Sequence, residues 1–221
     1  MELFLQKIIE SGPVIWSLAL ASVIAVSIIL YKLFQFRVLM TSKNKPAEAL
    51  KYIEQGSRAQ AQLLIGGLKA PRTQLLSQSI KVFDQNSLSF DAAKAEIYRL
   101  AKNKINALGN YLRPLEIISQ LAPLMGLFGT VLGMIEAFKV MASAGDQVDP
   151  ALLSGGIWQA LLTTAVGLAV AIPVTLCHGW LARRVEVEAA HIDDDLQHLC
   201  TLEAKRHNEI DQNKSRQEKA S

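Results

Sequence analysis

Charged residues are absent from three long stretches of this 221-residue chain, at 13–31, 117–135 and 150–182. A soluble domain distributes charges along every amphipathic element, so this segregation excludes an ordinary soluble fold. About 20 helical residues cross a hydrocarbon core of about 30 Å, which matches each of the first two stretches. The third stretch has 33 residues, so part of it should protrude from the membrane. We therefore expect three transmembrane helices.

Cysteine and enzyme motifs are also scarce. Cys177 and Cys200 are the two cysteines, and we expect both to be unpaired thiols outside any oxidising compartment. The sequence contains no Walker loop, GxGxxG, HExxH or GxSxG pattern, so an enzyme is not expected. His191 and His198 are two helical turns apart around the acidic run 193–195, which favours a solvated charged face over a metal site. No cofactor, metal or nucleic-acid partner is predicted.

Lysine and arginine are unevenly divided between the segments that the spans separate. The segment 32–113 contains fourteen lysines and arginines, and the tail 183–221 contains seven. Lys7 is the one basic residue before the first span, and Lys139 is the one between the second and third spans. The positive-inside rule therefore places the loop and the tail in the cytoplasm. The leader lacks a basic n-region and a small-residue cleavage site, so the first span should be a retained anchor. The predicted order is a periplasmic segment 1–12, span 13–31, cytoplasmic loop 32–113, span 114–138, periplasmic connection 139–149, span 150–182 and cytoplasmic tail 183–221.

The loop and the tail have helical periodicity and no strand pattern, so the predicted fold class is an all-α membrane protein with long cytoplasmic helical extensions. Pro46 and Ser89 are predicted to start helices, and Pro114 is the expected place of a bend before the second span. The end of the tail, from 205 onward, is polar and predicted to be disordered. A tail stripe should cover either the loop helices or a neighbouring subunit; its members are Leu181, Val185, Ala189, Ile192, Leu196 and Leu199.

Polar side chains occur inside the last two spans, where they are expensive in lipid and usually face a bundle interior or an aqueous path. Thr130 lies in "LMGLFGTVLGM", and Gln159, Thr163 and Thr164 lie in "GGIWQALLTTAVGLAVAIP". A structural role stays open, because threonines also bond to carbonyls of their own helix. Two such clusters on consecutive antiparallel spans favour one polar track across the bilayer. Glu136, near the outer end of the second span, is predicted to lie at the pore entrance.

Small residues and prolines accompany these polar groups. Gly129 and Gly133 form a GxxxG pattern that lets two backbones approach closely, and we expect the glycines to keep subunit interfaces close yet able to slide. Pro123 and Pro173 each free one helix carbonyl, and a kink beside the track and plain packing stay equally open. The complete set of predicted packing residues is Gly126, Gly129, Gly133, Gly167, Pro123 and Pro173.

The segments 121–138 and 155–173 resemble the two signature spans of the MotA/TolQ/ExbB proton-channel family, and the ExbB branch is the most similar. The resemblance implies a bacterial inner-membrane homopentamer whose pore holds a single-span partner similar to ExbD or TolR, with an aspartate in its membrane helix. Proton flow would energise a TonB-like protein and outer-membrane transport. A TolQ-type subunit of the Tol-Pal envelope system and a passive membrane scaffold stay open as alternatives.

The resemblance also implies roles for single residues. The pore threonine of the family's "GLFGT" motif matches Thr130, and that of the third span matches Thr164. The family commonly has a glutamate where this chain has Gln159, and a glutamine cannot titrate. Two interpretations stay open: a natural design in which the partner's aspartate alone carries the ion, or an introduced substitution that disables the channel. The choice between proton and sodium also stays open.

Overall fold

The computed structural model describes residues 12–40, 44–84, 88–143 and 150–220, and all regular structure in these ranges is helical. The predicted periplasmic segment 1–12, except its last residue, and residues 144–149 of the predicted connection lie outside the described ranges. The described helices are α1 (Gly12–Met40), α2 (Lys45–Glu54), α3 (Arg58–Ile65), α4 (Pro71–Asp84), α5 (Phe90–Gly109), α6 (Leu112–Ser143) and α7 (Pro150–Ala220).

The chain divides into two compact units. The first, which we call the apolar unit, comprises Met1–Lys32 and Tyr111–Ala182. The second, the charged unit, comprises Leu33–Asn110 and Arg183–Ser221. Because the division falls within α1 and within α7, each of these helices contributes residues to both units.

Apolar side chains cover the surface of the apolar unit as well as its interior. Trp16, Leu124 and Leu176 are 56%, 59% and 70% exposed, whereas soluble monomers rarely expose large contiguous apolar patches. The prediction of three membrane-spanning helices is thus confirmed by length and composition. The stretches that are long and apolar enough lie within Pro13–Arg37, Phe90–Ser143 and Leu153–Glu209.

The interior of the apolar unit contains one residue from each spanning helix. Leu18 of α1, Ala122 of α6 and Ala171 of α7 form a buried cluster. The two alanines leave room for the leucine side chain, so α1 packs against α6 and α7 together. A Cβ placed on Gly129 of α6 would lie 3.2 Å from a methyl of Val14, which shows that the start of α1 also reaches this helix pair.

The break before the second spanning helix differs from the prediction. α5 ends at Gly109, Asn110 follows with φ −54° and ψ 144°, and α6 begins at Leu112. Tyr111 between them has a left-handed φ of 68°, so the chain turns at Asn110–Tyr111 and the predicted bend at Pro114 is wrong. Pro114 lies in the first turn of α6, where its missing N–H would have no helical partner in any case.

The charged unit has an aliphatic core that joins the loop helices to the tail. One cluster packs Leu50, Ile65 and Leu76 against Leu199 of α7, and a second contains residues of α4, α5 and α7. The members of the second cluster are Leu75, Ile97, Ala101, Leu108, Ile192 and Leu196. The tail stripe thus covers the loop helices of its own chain from Ile192 to Leu199, which decides between the two predicted alternatives for these residues.

Two predictions about helix ends have different outcomes. Ser89 caps α5 as predicted, since its Oγ accepts a hydrogen bond from the backbone N–H of Ala92 at 3.3 Å. The polar end of the tail differs from the predicted disorder, because α7 continues to Ala220. Lysine, arginine, glutamate and glutamine dominate this end, and all four have high helix propensity that requires no tertiary partner.

Candidate ion pathway between the second and third spanning helices

Small residues bring α6 and α7 into backbone contact. A Cβ placed on Gly133 would lie 2.8 Å from the Ala160 Cβ, and one on Gly167 would lie 2.7 Å from the Ala122 carbonyl oxygen. Side chains cannot occupy these distances without displacing the neighbouring helix. The contacts of these glycines join two helices of one chain, and their role at interfaces between subunits stays a prediction.

The contact is antiparallel and extends over most of the shared length of the two helices. A Cβ on Gly156 would lie 2.8 Å from the Ala137 Cβ, and one on Gly126 would lie 3.0 Å from the Thr164 Cα. Ala137 and Gly156 lie towards the end at which α6 ends and α7 begins, which we call the connection end. Gly126 lies about three helical turns further in on α6 and Thr164 about two turns further in on α7, as about 3.6 residues make one turn.

Thr163 and Thr164 are both directed towards α6. The Thr164 hydroxyl donates to the Gly126 carbonyl at 3.0 Å, and the Thr163 Oγ1 is 3.3 Å from the same oxygen. Thr163 also donates to the Ala160 carbonyl of its own helix at 2.7 Å. Because a hydroxyl has one proton, the shorter contact assigns the Thr163 proton to Ala160 and leaves the Gly126 bond to Thr164. Thr163 is buried, with 5% of its surface exposed.

Thr130 and Gln159 occupy more open positions. The Thr130 hydroxyl donates to the Leu127 carbonyl one turn earlier at 2.6 Å, and the residue is half-buried. Gln159 is exposed on α7. The four predicted track residues therefore separate into a buried Thr163, a half-buried Thr164 and Thr130, and an exposed Gln159.

A recess of about 540 Å³ opens in the apolar unit near the connection end. Its polar residues are Glu136, Gln159 and Thr163, while Thr130 and Thr164 are not part of its wall. Glu136 is 3.9 Å from Lys139, and their side chains are 67% and 75% exposed, so this ion pair contributes little. The complete lining is Pro13, Val14, Gly129, Leu132, Gly133, Ile135, Glu136, Ala137, Val140, Gly156, Gln159, Ala160 and Thr163.

The two prolines lie within continuous helices. α6 runs through Pro123 and α7 runs through Pro173. Pro123 is half-buried, next to Ala122 of the core cluster, and Pro173 is exposed. Neither proline interrupts its helix. Membrane helices tolerate an internal proline when the carbonyl that it frees finds another hydrogen-bond partner.

The acidic run of the tail is solvated only in part. Asp195 is 6% exposed, and its carboxylate accepts two hydrogen bonds from Arg72, from Nε at 2.9 Å and from Nη2 at 3.0 Å. Burial raises the pKa of this carboxyl, which lies outside the spanning segments, and the Arg72 charge acts in the opposite direction. The prediction of a fully solvated face is thus wrong for Asp195, which shares the buried side of α7 with Ile192 and Leu199. Within the described ranges no group of three or more metal-binding side chains is present.

Sequence reasoning missed several polar contacts and one wall of the recess. Arg58 forms ion pairs with both Asp84 and Glu203, and Lys32 is fully buried although it ends the apolar part of α1. Pro13 of α1 lines the recess. The sequence holds no local signal for these arrangements, because each depends on which distant helix packs alongside.

The pattern of one protein family matches more than half of the chain. The family described as the MotA/TolQ/ExbB proton channel family matches residues 59–194, which include both polar clusters and the glycine contacts. The chain belongs to this family. The predicted resemblance is thereby confirmed, and the chain is a membrane protein of a proton-channel family.

Individual relatives within the family include ExbB and TolQ proteins. The biopolymer transport protein exbB1 of Vibrio cholerae is 31% identical over 179 residues, covering 78% of this chain and 76% of its own length. An ExbB homolog of Methanothermobacter thermautotrophicus is 30% identical over 142 residues, covering 64% of this chain and 48% of its own. The Tol-Pal system protein TolQ of Haemophilus influenzae is 38% identical over 87 residues, covering 39% of this chain and 38% of its own length. The chain thus spans about half the length of the Methanothermobacter relative and about three quarters of the Vibrio protein.

Proposed function

We propose that this chain is the ion-conducting subunit of an inner-membrane complex that uses the protonmotive force to energise a TonB-like protein, and through it outer-membrane transport. One observation carries the proposal. Hydroxyl and amide groups occur at corresponding depths on the antiparallel helices α6 and α7, in segments that have no charged residue from 117 to 135 and from 150 to 182. The similarity to the Vibrio cholerae biopolymer transport protein supports the ExbB branch.

The proposed ion track uses Thr130, Thr164 and Gln159. These groups can solvate a transient cation, and they have no fixed charge that would hold it too tightly. One charge that moves through 100 mV releases about 2.3 kcal/mol, which can bias a packing arrangement with two states. A proton is the proposed ion, with sodium as the alternative. The titratable group would be an aspartate on a single-span partner similar to ExbD or TolR.

The glycine contacts restrict where movement can occur in such a motor. Because Gly133 and Gly167 hold α6 and α7 at backbone distance, we propose that the two helices move as one piece. Sliding would then take place at their exposed apolar faces, for example at Leu124 and Leu161, which are 59% and 61% exposed. We propose that these faces meet neighbouring copies in a homopentamer and the partner helix in its pore. The N-terminus would be periplasmic and the tail cytoplasmic, as the lysine and arginine distribution favours.

Rescue of growth tests the track directly. In cells that lack the native subunit and depend on an iron chelate, Thr130→Val and Thr164→Val should abolish rescue while the complex still assembles. Thr130→Ser and Thr164→Ser should retain it, because they keep the hydroxyl. Thr175→Val is the matched control, since Thr175 of α7 donates to its own helix at Ala171, 2.8 Å away, and lies outside the track. Normal rescue by both valine variants would exclude the proposal.

Gln159→Glu distinguishes the two interpretations of the glutamine. Raised uptake would show that the carboxylate is the functional group and that the glutamine disables the channel. Lost uptake would show that the neutral amide belongs to the working design. Expression and assembly of this variant should match the parent, because glutamine and glutamate have nearly the same size and Gln159 is exposed.

Two alternative functions are each favoured by one observation, the first by the TolQ relative and the second by the threonine contacts. The Haemophilus influenzae similarity favours a Tol-Pal subunit, which rescue of envelope integrity in cells without TolQ would reveal. The Thr164 bond to Gly126 favours a scaffold in which the threonines only join helices. Proton flux into liposomes that contain the chain and its partner separates this scaffold from a channel, because a scaffold conducts nothing.

A further inference from the structure

The contacts between α6 and α7 fix which residues of the two helices lie at the same level. Gly133 lies against Ala160, and Ala122 and Ala171 belong to one buried cluster. The two pairs are 11 residues apart on each helix, so one step along α6 corresponds to one step back along α7. This register can be continued within the apolar unit, because both helices rise by about 1.5 Å per residue.

Glutamates and tryptophans mark two levels on this helix pair. Glu136 follows Glu116 by 20 residues, which correspond to about 30 Å, the thickness of a hydrocarbon core. Trp180 follows Trp158 by 22 residues, or about 33 Å. The register places Trp158 about one residue from the level of Glu136, which we call the connection-end level. It places Trp180 about one turn outside Glu116, and these two define the loop-end level.

The side chains at both levels are open to the surroundings of the unit. Trp158 and Trp180 are 60% and 46% exposed, and Glu116 and Glu136 are exposed as well. An indole combines an apolar body with one N–H donor, so tryptophan is enriched where acyl chains meet head groups. A carboxylate is costly within hydrocarbon. All four side chains therefore suit the two surfaces of a bilayer better than its interior.

Two tyrosines lie at the loop-end level. Tyr31 of α1 and Tyr111 of α6 pack edge-to-face with ring centroids 5.8 Å apart, and they are 54% and 56% exposed. The left-handed φ of 68° at Tyr111 is unfavourable for a bulky side chain. Tyrosine is enriched at membrane surfaces for the same reason as tryptophan. A phenol held beside Tyr31 among head groups gives this backbone conformation a physical reason.

α7 extends beyond the connection-end level. Its residues 150–157 precede Trp158, and eight helical residues correspond to about 12 Å. The contact of Gly156 with Ala137 pairs this segment with the end of α6. Since Gly155 is exposed and a Cβ on it would meet no atom within 4 Å, one side of the segment is open.

We propose that the phospholipid head groups of the two leaflets contact the apolar unit at the connection-end level and at the loop-end level. The first two turns of α7 then stand outside the hydrocarbon core, paired with the end of α6. This accounts for the uncharged run 150–182, which is longer than one crossing requires. The inference goes beyond the proposed function, because it holds whichever ion the complex conducts.

Quenching by brominated phospholipids measures the depth of each tryptophan in the full chain. Trp16→Phe/Trp180→Phe leaves Trp158 as the only tryptophan, and Trp16→Phe/Trp158→Phe leaves Trp180. Each variant is reconstituted into vesicles whose lipid carries bromine near the head group or near the chain end. We expect the shallow bromine to quench both tryptophans at least about twofold more than the deep one, since both lie at the edges of the core. Leu168→Trp, in a chain without the native tryptophans, is the deep control and should show the opposite preference.

Water accessibility at the start of α7 gives a second measurement. Cys177→Ser and Cys200→Ser provide a background without thiols. Gly155→Cys, outside the connection-end level, is compared with Leu168→Cys, which is 43% exposed and lies between the two levels. A membrane-impermeant maleimide is applied to each face of sealed vesicles, and the unfolded chain in detergent gives the full reactivity. We expect Gly155→Cys to react from one face at least about tenfold faster than Leu168→Cys, because thiolates form in water and not in hydrocarbon.

Each measurement has a result that would overturn the inference. Stronger quenching of Trp158 by the deep bromine would extend the core past Glu136 towards the connection. Stronger deep quenching of Trp180 would extend it towards the loop. Labelling of Gly155→Cys from both faces as slow as that of Leu168→Cys would place the start of α7 within the core.

Discussion

The apolar and the charged units are both helical, but different contacts stabilise them. In the apolar unit, glycine and alanine let α6 and α7 touch at the backbone, and a threonine hydroxyl bridges them. In the charged unit, large aliphatic side chains such as Leu76 and Leu196 are almost completely buried, and buried ion pairs lie beside them. Water drives leucine into a core, whereas lipid offers no such drive, so close van der Waals contact and hydrogen bonds must hold membrane helices together.

The largest effect is expected where a charge of the charged unit loses its partner. Arg72→Met leaves the Asp195 carboxylate buried and unpaired, which should destabilise the unit by about 3–5 kcal/mol. At about 1.4 kcal/mol per tenfold change, amide hydrogen exchange in α4 and around Asp195 should accelerate by about two to three and a half orders of magnitude in the full chain.

The double variant Arg72→Met/Asp195→Leu is the control for this prediction. It removes both charges, so exchange should return close to that of the parent, because a buried ion pair is often no more stabilising than apolar residues. Exchange in α6 should be unaffected in both variants. Unchanged exchange in the single variant would show that Asp195 is not held in a buried environment.

A smaller effect is expected where the apolar unit is overpacked. Gly167→Ala places a Cβ 2.7 Å from the Ala122 oxygen and 3.0 Å from the Gly126 Cα, which should lower stability by about 1–3 kcal/mol. The thermal midpoint of the complex in detergent should fall. Gly179→Ala is the matched control on the same helix, because no atom lies within 4 Å of its added Cβ. Equal midpoints for the two variants would contradict backbone contact at Gly167.

A third variant tests whether hydrogen bonding or ion conduction explains Thr164. Thr164→Val removes one neutral hydrogen bond, which contributes about 0.5–1.5 kcal/mol, so the thermal midpoint should fall only slightly. Rescue of growth should nevertheless be lost if the track operates. A large drop in the midpoint together with lost rescue would instead support a structural role for this residue, as in the scaffold alternative.

The smallest effect is expected at an exposed ion pair. Arg183 and Glu186 lie 3.1 Å apart with side chains 74% and 67% exposed, and such pairs contribute about 0–1 kcal/mol. Arg183→Ala should therefore leave hydrogen exchange in the charged unit within error of the parent. A clear acceleration would mean that surface charges stabilise this unit as much as its buried pair does.

Much of the fold follows from local features of the sequence. The three spans follow from the absence of charge over 19 residues or more, and Ser89 marks the start of α5 because its hydroxyl caps a free N–H. The break at Asn110–Tyr111 does not follow, because a tyrosine with φ 68° has no local preference for that conformation. Its ring packs edge-to-face against Tyr31, with centroids 5.8 Å apart, and that contact is a tertiary one.

The sequence predicts which residues the candidate site contains, but not how they are arranged in space. The residues Thr130, Gln159, Thr163 and Thr164 are visible as polar groups in apolar stretches, but periodicity does not say which of them face a partner helix. The recess depends on Pro13 and Val14 of α1 lying beside α6 and α7, and these two residues are more than 100 positions from the rest of the lining. Contacts at such separations are fixed by how whole helices pack.

The sequence by itself determined the number of spanning helices, the family and the residue types available for an ion. Charge and polarity are properties of single residues, and the hydrocarbon core of a membrane disfavours each charged or polar side chain whatever it packs against. Only the tertiary structure decided that the glycines join α6 to α7 within one chain, that Thr163 and Thr164 share the Gly126 carbonyl, and that Asp195 is buried against Arg72. These contacts join residues 37, 38 and 123 positions apart. Their geometry arises when backbones approach, and no local pattern specifies that approach.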